Sequence, residues 1–382
     1  MNMPLSVSEP VAAPRVRRPV AFHAGPTARR LGHDLLTKMA IAEQLAALLQ
    51  VDFLGHLSEF ELAAVPTLVV PGDTVVGLAH ARRLGIVDAG TVFGGVVPHA
   101  FAATKLISHP LVADDARAPA GWSPRFGREA AGLVLPGFSA FSVADALQAG
   151  RRLLEQGAVR VKDPDGVGGS GQHVVCSEAE LQACIDAMSP QDVASGGVVL
   201  ERNLNDVVTL SVGQVQAGEW LATYCGTQTL TRNHRGDEVY GGSRLTVVRG
   251  DYAELLRLRL NAAQRLAVEQ ALGYHRAAMA CFDGLIATRA NYDVAQGVDD
   301  AGAVRSGVLE QSWRIGGASG AELLALQAFA AQPGLHTVCV STHEVYADAV
   351  DVPAGARVNF SGTDEHVGAL TKYALLEPHD DA

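Results

Sequence analysis

A lysine at the end of a β-branched run, followed by a cluster of glycines, is the first group in this sequence with chemistry to offer. The stretch Val159 to Val175 reads VRVKDPDGVGGSGQHVV, with Lys162 followed by Gly166, Gly168, Gly169, Ser170 and Gly171. Gly166, Gly168 and Gly171 have the G-x-G-x-x-G spacing of a dinucleotide fingerprint, which needs a helix after its last glycine to receive the pyrophosphate. Here Gly171 runs into QHVV, so the local pattern is strand, loop, strand. A P-loop is excluded as well, because Gln172 stands where that motif needs its lysine. A glycine turn between antiparallel strands can instead close over phosphates with backbone N–H groups that side chains would otherwise block, while Lys162 supplies positive charge. A surface hairpin with one solvated lysine suits the same residues, and the loop by itself leaves the two readings level.

A second constellation separates them. In LEQSWRIGG, Glu310, Ser312 and Arg314 alternate, and a period of two puts all three on one face of a strand. Asp293, in NYDVAQ, lies on the preceding strand of an expected hairpin, and pairing across the GVDDAG turn would bring its carboxylate near that of Glu310. Two carboxylates held that close need a cation, and magnesium bridged to nucleotide phosphates is the usual hard partner for oxygen ligands. An arbitrary acidic pair more often faces solvent, but this one occurs together with a phosphate-suited loop. Beyond it, GGASGAELL, Gly316 to Leu324, offers a possible second anion site at a helix start, or a plain glycine-rich helix start. His109, His234, His336 and His343 have no metal-ligand spacing and are expected to be surface or core residues.

The whole chain constrains what such a site can serve. Its 382 residues are 48% hydrophobic and 19% charged, enough for two or three domains with their own cores. With 41 acidic and 30 basic side chains the net charge is −11, so the overall field repels nucleic acid and anionic lipid, and an anionic ligand must be held by a few placed cations. The five cysteines are scattered without a C-x-x-C pair, which suits reduced core residues and a cytoplasmic location. No apolar run reaches the length of a membrane span.

The elements that must position these groups follow from periodicity. Residues 1–19 read as a disordered tail, rich in proline and arginine. Then PVAFHAG suggests a strand, HDLLTKMAIAEQLAALLQ a helix, TLVVP a strand, GDTVVGLAHARRLGI a helix capped by Asp73 or Thr74, and TVFGGVVP a third strand. Residues 109–141 look loop-rich, and SVADALQAGRRLLEQG is a helix with Ser142 as N-cap and Asp145 completing a shortened capping box. Strands AVRVK and QHVVC flank the glycine loop, helix SEAELQACIDAM follows, and strands GVVLERNL, VVTLSVGQV and WLATYCGTQTL give an α+β middle. The run from Tyr252 to Phe282 is helical with a break expected at Gly273, the acidic hairpin and a helix at GGASGAELLALQAFAA follow, and HTVCVSTHEVYA and LTKYALL close the chain as strands.

Together these features resemble the ATP-grasp superfamily, and VRVKDPDGVGGSGQHVVCSEAELQACI is similar to the lysine and glycine-loop region of biotin carboxylase and its relatives. The resemblance implies an α/β and α+β architecture: an ATP-grasp fold behind an N-terminal Rossmann-like (pre-ATP-grasp) domain. It implies a tail over 1–19, an N-terminal α/β domain over 20–105, a lobe with the glycine-rich loop over 106–200, and a lobe with the metal site over 201–382. It assigns Lys105, in ATKLISHPL, and Lys162 to nucleotide phosphates, with Gly166, Gly168, Gly169, Ser170 and Gly171 as the loop above them. VVLERNL resembles the hinge strand, which turns Glu201 and the backbone near Leu204 toward adenine. Asp293 and Glu310 match the paired magnesium ligands, Ser312 stands where the family has asparagine, and Arg314 matches the arginine that ends E-x-N-x-R. The family's ribose-binding acid falls near Thr209, with Asp206 close by. The implied cofactors are ATP and Mg2+, with Mn2+ as a substitute. The implied activity is an ATP-dependent ligase that activates a small carboxylate as an acyl phosphate for attack by an amine or similar nucleophile. Bicarbonate chemistry like that of biotin carboxylase, an ATP-grasp kinase and a non-catalytic nucleotide-binding scaffold are the rivals. The expected partners are small-molecule carboxylate and nucleophile substrates and a homodimer partner, with no nucleic acid and no membrane. The arrangement is also similar to an uncharacterised bacterial family carrying a GGVVPH...TK segment near its N-terminus.

Overall fold

The apolar runs Val20–His23 and Leu68–Pro71 lie side by side in parallel, Val20 opposite Leu68 and His23 opposite Pro71. All but His23 are buried, which is what a strand covered on both faces requires. This computed structural model describes residues 17–25, 32–166 and 171–378. The helix His33–Leu49 connects that sheet to Phe53–His56, a strand that the sequence pattern hides because its residues alternate between half-buried and exposed at the sheet edge. The second expected helix is shorter than its apolar pattern implies. Val75–Val76 are extended and pair in parallel with Gly95–Val97, so the helix begins only at Leu78, after Gly77 turns the chain with φ +92°. Neither Asp73 nor Thr74 caps it.

A four-stranded antiparallel sheet follows, in the order Gly137–Ala140, Val198–Arg202, Val159–Lys162, Gln172–Val175. Its two faces are set by period-two alternation. Val159, Val161, Val198 and Leu200 enter a core beneath the helices Val143–Leu154 and Glu178–Asp186, which turns Lys162, Val199 and Glu201 to the other face. Ser142 caps the first helix as expected, accepting from the Asp145 amide at 3.1 Å.

The largest element is an eight-stranded antiparallel sheet, from its edge Val304–Ser312 through Arg289–Val298, Asn205–Ala217, Trp220–Arg232, Glu238–Arg249, Thr337–Val345 and Gly368–Glu377 to Arg357–Asp364. Leu210, Val212, Tyr292 and Val294 pack under the helix Ala262–Cys281. Val215, Ala217, Tyr224, Leu245 and Val340 pack on the opposite face against His33–Leu49 and Ser319–Ala331. The long helical run expected here is broken at residues 258–261 and not at Gly273. A new helix starts there because Asn261 and Gln264 form a capping box, whereas Gly273 lies inside that helix, where a Cβ would come within 2.9 Å of the Leu133 side chain. Of the expected tail, residues 1–16 lie outside the described residues, as do Gly168, Gly169 and Ser170 of the loop. Among the described residues no helix is long and apolar enough to cross a membrane.

Candidate functional site

The acidic pair is built by a β-bulge. Asp293 lies directly opposite Glu310 and Asn291 opposite Ser312, but Val294 lies opposite Val308, so Leu309 is an extra residue on its strand. Val308 points into the core under Ala262–Cys281. Without the extra residue, Glu310 would point there too. The bulge turns Glu310 and Ser312 onto the face that carries Asp293.

That face leaves the two acids short of positive charge. Burial, and then the facing Glu310, push the Asp293 carboxyl well above the ordinary carboxylate range. Among the described residues its Oδ1 accepts from two neutral amide donors, Asn291 at 2.8 Å and Gln228 at 2.7 Å. Lys105 reaches Glu310 at 3.1 Å. Two hard oxygen donors on one face, under-neutralised by their neighbours, are a fitting donor set for a divalent cation. Among the described residues no group of three or more His, Cys, Asp or Glu is placed around one cation position, so further ligands to such an ion would be the Ser312 hydroxyl on the same face or phosphate or water oxygens.

Both lysines singled out in the sequence are buried, and both end on carboxylates. The Lys105 ammonium also donates to the carbonyl of Gly166 at 2.8 Å, so one side chain joins the edge of the glycine loop to the acid pair. The loop's ends are tied by the Asp163 amide, which donates to Gly171 O at 2.8 Å. Gly171 has φ +66°, a conformation that favours glycine. Lys162 is ion-paired with Glu201 on the neighbouring strand. Burial opposes ionisation of Glu201, but Lys162 and His109 overcome it and hold its carboxyl down at about 2.

Sequence reasoning missed His109, whose Nε2 lies 3.2 Å from Glu201. Its ring lies over Gly137, where a Cβ would come within 2.7 Å of the His109 Nδ1 atom. Its only sequence signal is its position four residues beyond Lys105. Leu204 is buried with Leu135 and Ala295, beside the half-buried Leu309. Asp206 is exposed, with φ +51°.

Beneath the acids runs a buried polar network that the sequence did not disclose. Arg289 and Glu322, 1% and 0% exposed, form an ion pair at 2.7 Å. Arg289 also donates to Ser312 O at 3.2 Å, Ser312 Oγ at 3.3 Å and Arg314 O at 2.6 Å. Tyr224 OH donates to Glu322 at 2.6 Å and lies 3.0 Å from Asn291 Oδ1, whose own amide holds Asp293. Arg314 is half-buried, with its Nε 3.3 Å from Asp73 and its Nη1 donating to Ile315 O at 3.3 Å. At the second anion site expected from sequence, the helix begins at Ser319, whose hydroxyl accepts from the Gly316 amide at 3.1 Å. The structure thus gathers Lys105, Gly166, Asp293, Glu310 and Ser312. The strand ends at Ser312, so Arg314 lies beyond it and not on the strand face expected for all three, with its side chain against Asp73. Lys162 and Glu201 form a second cluster on the four-stranded sheet.

Comparison with solved structures identifies this arrangement of sheets. Biotin carboxylase from Campylobacter jejuni, in a β,γ-ATP complex, superposes with a TM-score of 0.50 at 12% identity, covering 94% of this chain and 87% of that one. The biotin carboxylase domain of the 2-oxoglutarate carboxylase of Hydrogenobacter thermophilus, a dimer with MgADP, ADP and bicarbonate, gives 0.50 at 15% identity, covering 95% and 87%. At such identities the likeness shows the fold, which is ATP-grasp. No curated protein matches the chain. A family model described as a protein of unknown function, DUF3182, matches residues 22–374, and the chain belongs to that family.

Proposed function

We propose that the protein is an ATP-dependent ligase that activates a small carboxylate as an acyl phosphate and passes the acyl group to an amine or similar nucleophile. The observation that carries this reading is the direct opposition of Asp293 and Glu310 on one face, with Lys105 joining Glu310 to the glycine loop. In this reading the units 20–105, 106–200 and 201–382 divide the work between substrate binding, the phosphate lid and the cation site. Lys105 and Lys162 leave their carboxylate partners for nucleotide phosphates, and Glu201 and the backbone near Leu204 take the adenine. Gly166 to Gly171 close over the phosphates and exclude water, which is how such a loop favours transfer to a bound acid. Asp293 and Glu310 hold magnesium, with Ser312 beside them. When bound, magnesium neutralises the phosphate oxygens on which charge develops.

The chemistry balances in two steps. A carboxylate oxygen of the acid attacks the γ-phosphorus, the bond from that phosphorus to the bridging oxygen breaks, and ADP leaves. The amine then attacks the acyl carbon, the bond to the phosphoryl oxygen breaks, and inorganic phosphate leaves as the amine gives up a proton. Arg314 stabilises the charge on the transferring group by preorganised electrostatics.

The test is ADP release by the full chain with magnesium and a panel of acids and amines, beside Lys162→Ala and Glu310→Ala. Each variant is expected to lose at least about a hundredfold in turnover, as removal of a transition-state contact typically does. Failure of the parent chain to bind MgATP overturns the reading.

A further inference from the structure

His109 ends a short turn, Lys105–Ser108, that is fastened to both sheets. The turn starts at Thr104, whose hydroxyl accepts from the Leu106 amide at 3.3 Å. From the eight-stranded sheet, the Gln311 side chain donates to the carbonyls of Ala102 and Thr104 at 2.9 and 2.8 Å. From the four-stranded sheet, Ser139 donates through its hydroxyl to Leu106 O at 2.6 Å and through its amide to Pro110 O at 2.9 Å. The backbone on either side of His109 is therefore pinned. The turn carries one buried side chain at each end, Lys105 toward Glu310 and His109 toward Glu201.

The two oxygens of the Glu201 carboxylate are committed separately. Lys162 meets Oε1, and His109 Nε2 lies 3.2 Å from Oε2. An ionised carboxylate only accepts, so the proton of that second contact belongs to His109 Nε2. The other ring nitrogen agrees. His109 Nδ1 is buried with no partner among the described residues, and a proton there would be a buried donor without an acceptor, whereas a bare lone pair costs less. Gly137 is paired directly opposite Glu201, and a Cβ on it would come within 2.7 Å of His109 Nδ1 and 2.8 Å of its Cε1. A glycine at that position leaves the ring its place beside the carboxylate.

We propose that His109 is a positioning residue for the nucleobase: it holds Glu201 through Oε2, so that Oε1, once Lys162 has left it, is a fixed acceptor for the exocyclic amine of adenine. The assignment rests on the ligase reading, in which Glu201 faces the adenine and Lys162 moves to the phosphates, and it adds the residue that keeps Glu201 in place when its cation departs. A carboxylate pinned in this way favours a base that presents an amine and disfavours one that presents a carbonyl oxygen at the same position, because two acceptors then face each other. Without the Nε2 donor, Glu201 is free to turn away from the base, and that preference falls.

Calorimetric titration of the full chain with magnesium and non-hydrolysable analogues of ATP and GTP tests the assignment, beside His109→Phe, His109→Asn and His109→Gln. Phenylalanine fills the place of the ring without a donor, asparagine carries its amide one bond short, and glutamine extends an N–H toward Oε2. The parent is expected to bind the ATP analogue at least tenfold more tightly than the GTP analogue. His109→Phe and His109→Asn are expected to weaken the ATP analogue at least tenfold and the GTP analogue less than threefold, while His109→Gln stays within threefold of the parent for both. Asparagine keeps the comparison open if phenylalanine prevents folding. Equal losses for the two nucleotides show a merely structural role and overturn the proposal. Unchanged binding by His109→Asn, a loss in His109→Gln as large as in His109→Asn, or a parent without preference between the bases overturns it too, and leaves the phosphate and metal assignments standing. A parent chain that binds neither analogue overturns the ligase reading itself.

Discussion

Asp293 and Glu310 illustrate how a residue can cost the fold something that only a ligand returns. Asp293 is held above its ordinary ionisation range, so near neutral pH its charge opposes folding, and Glu310 opposes it from across the hairpin. Asp293→Asn keeps an oxygen for the Asn291 and Gln228 amides and removes the repulsion. The variant is expected to unfold at higher temperature than the parent, by roughly 1–2 kcal/mol, and to lose all stabilisation by MgATP. A thermal melt of both proteins with and without nucleotide checks both halves. Glu201 has the opposite sign. Its carboxyl is held at about 2, below the 4.5 of an unperturbed glutamate, so its charge stabilises the fold above about 4.5, and that contribution is lost as pH falls from there toward 2. Glu201→Gln leaves Lys162 buried without a counter-charge and is expected to cost about 3–5 kcal/mol at neutral pH. Denaturant melts between about pH 2 and 7 should then show a flatter acid limb for the variant than for the parent.

At the scale of elements, the hairpin Arg289–Val298 with Val304–Ser312 does most to define the site, and its decisive feature was the least legible. Alternation alone correctly put Glu310 and Ser312 together, and the GVDDAG turn correctly implied a partner strand with Asp293. Nothing in the residue pattern announced the bulge at Leu309, because a bulge is a property of pairing between strands and leaves no signature within one. The ion pair of Arg289 with Glu322 was hidden for a similar reason. Glu322 falls in the first turn of a helix, where an acid usually faces water, and only packing of that helix on the sheet turns it inward. Arg289→Met is expected to destabilise the protein by about 3–5 kcal/mol, since Glu322 is then buried alone. Arg289→Met combined with Glu322→Leu should recover most of that loss, in urea melts, while failing to restore magnesium-dependent turnover, because Ser312 and Arg314 lose their common anchor. The helix start near Asp73 was misjudged because an acid before an apolar run suits a cap as well as a turn. Extended pairing with Gly95–Val97 decided between them.

The whole molecule brings two sheets to one place, and its longer strands and helices were readable from the sequence because each carries its own period, whereas short or half-exposed elements such as Phe53–His56, Glu59–Ala64 and Arg357–Asp364 were not. How the sheets meet was not readable either, since contacts such as that of Lys105 depend on side chains far apart in the chain. Lys105 donates to Gly166 O beside the glycine loop and lies 3.1 Å from Glu310 on the large sheet, so it fastens one sheet's hairpin to the other's edge. Lys105 is 5% exposed and Glu310 36%, so the ammonium is shielded while the carboxylate it meets is partly open to water. In the proposed reading, a cation at Glu310 would compete with Lys105 for that carboxylate and bound phosphates would give the ammonium a new partner, which would couple nucleotide to the tie between Lys105 and Gly166. Lys105→Met keeps the stem and removes both contacts. The Asp163 amide, which donates to Gly171 O, reports on closure of the hairpin. Its hydrogen exchange without nucleotide is expected to be roughly tenfold faster in the variant than in the parent, about 1.4 kcal/mol of lost closure, and MgATP should restore less of the protection. Lys162→Met serves as the comparison, because it removes the contact to Glu201 within the four-stranded sheet and leaves the fastening to Glu310 in place. Equal exchange at Asp163 in the parent and in Lys105→Met would show that the hairpin is held by its own sheet, and that Lys105 serves the phosphates alone.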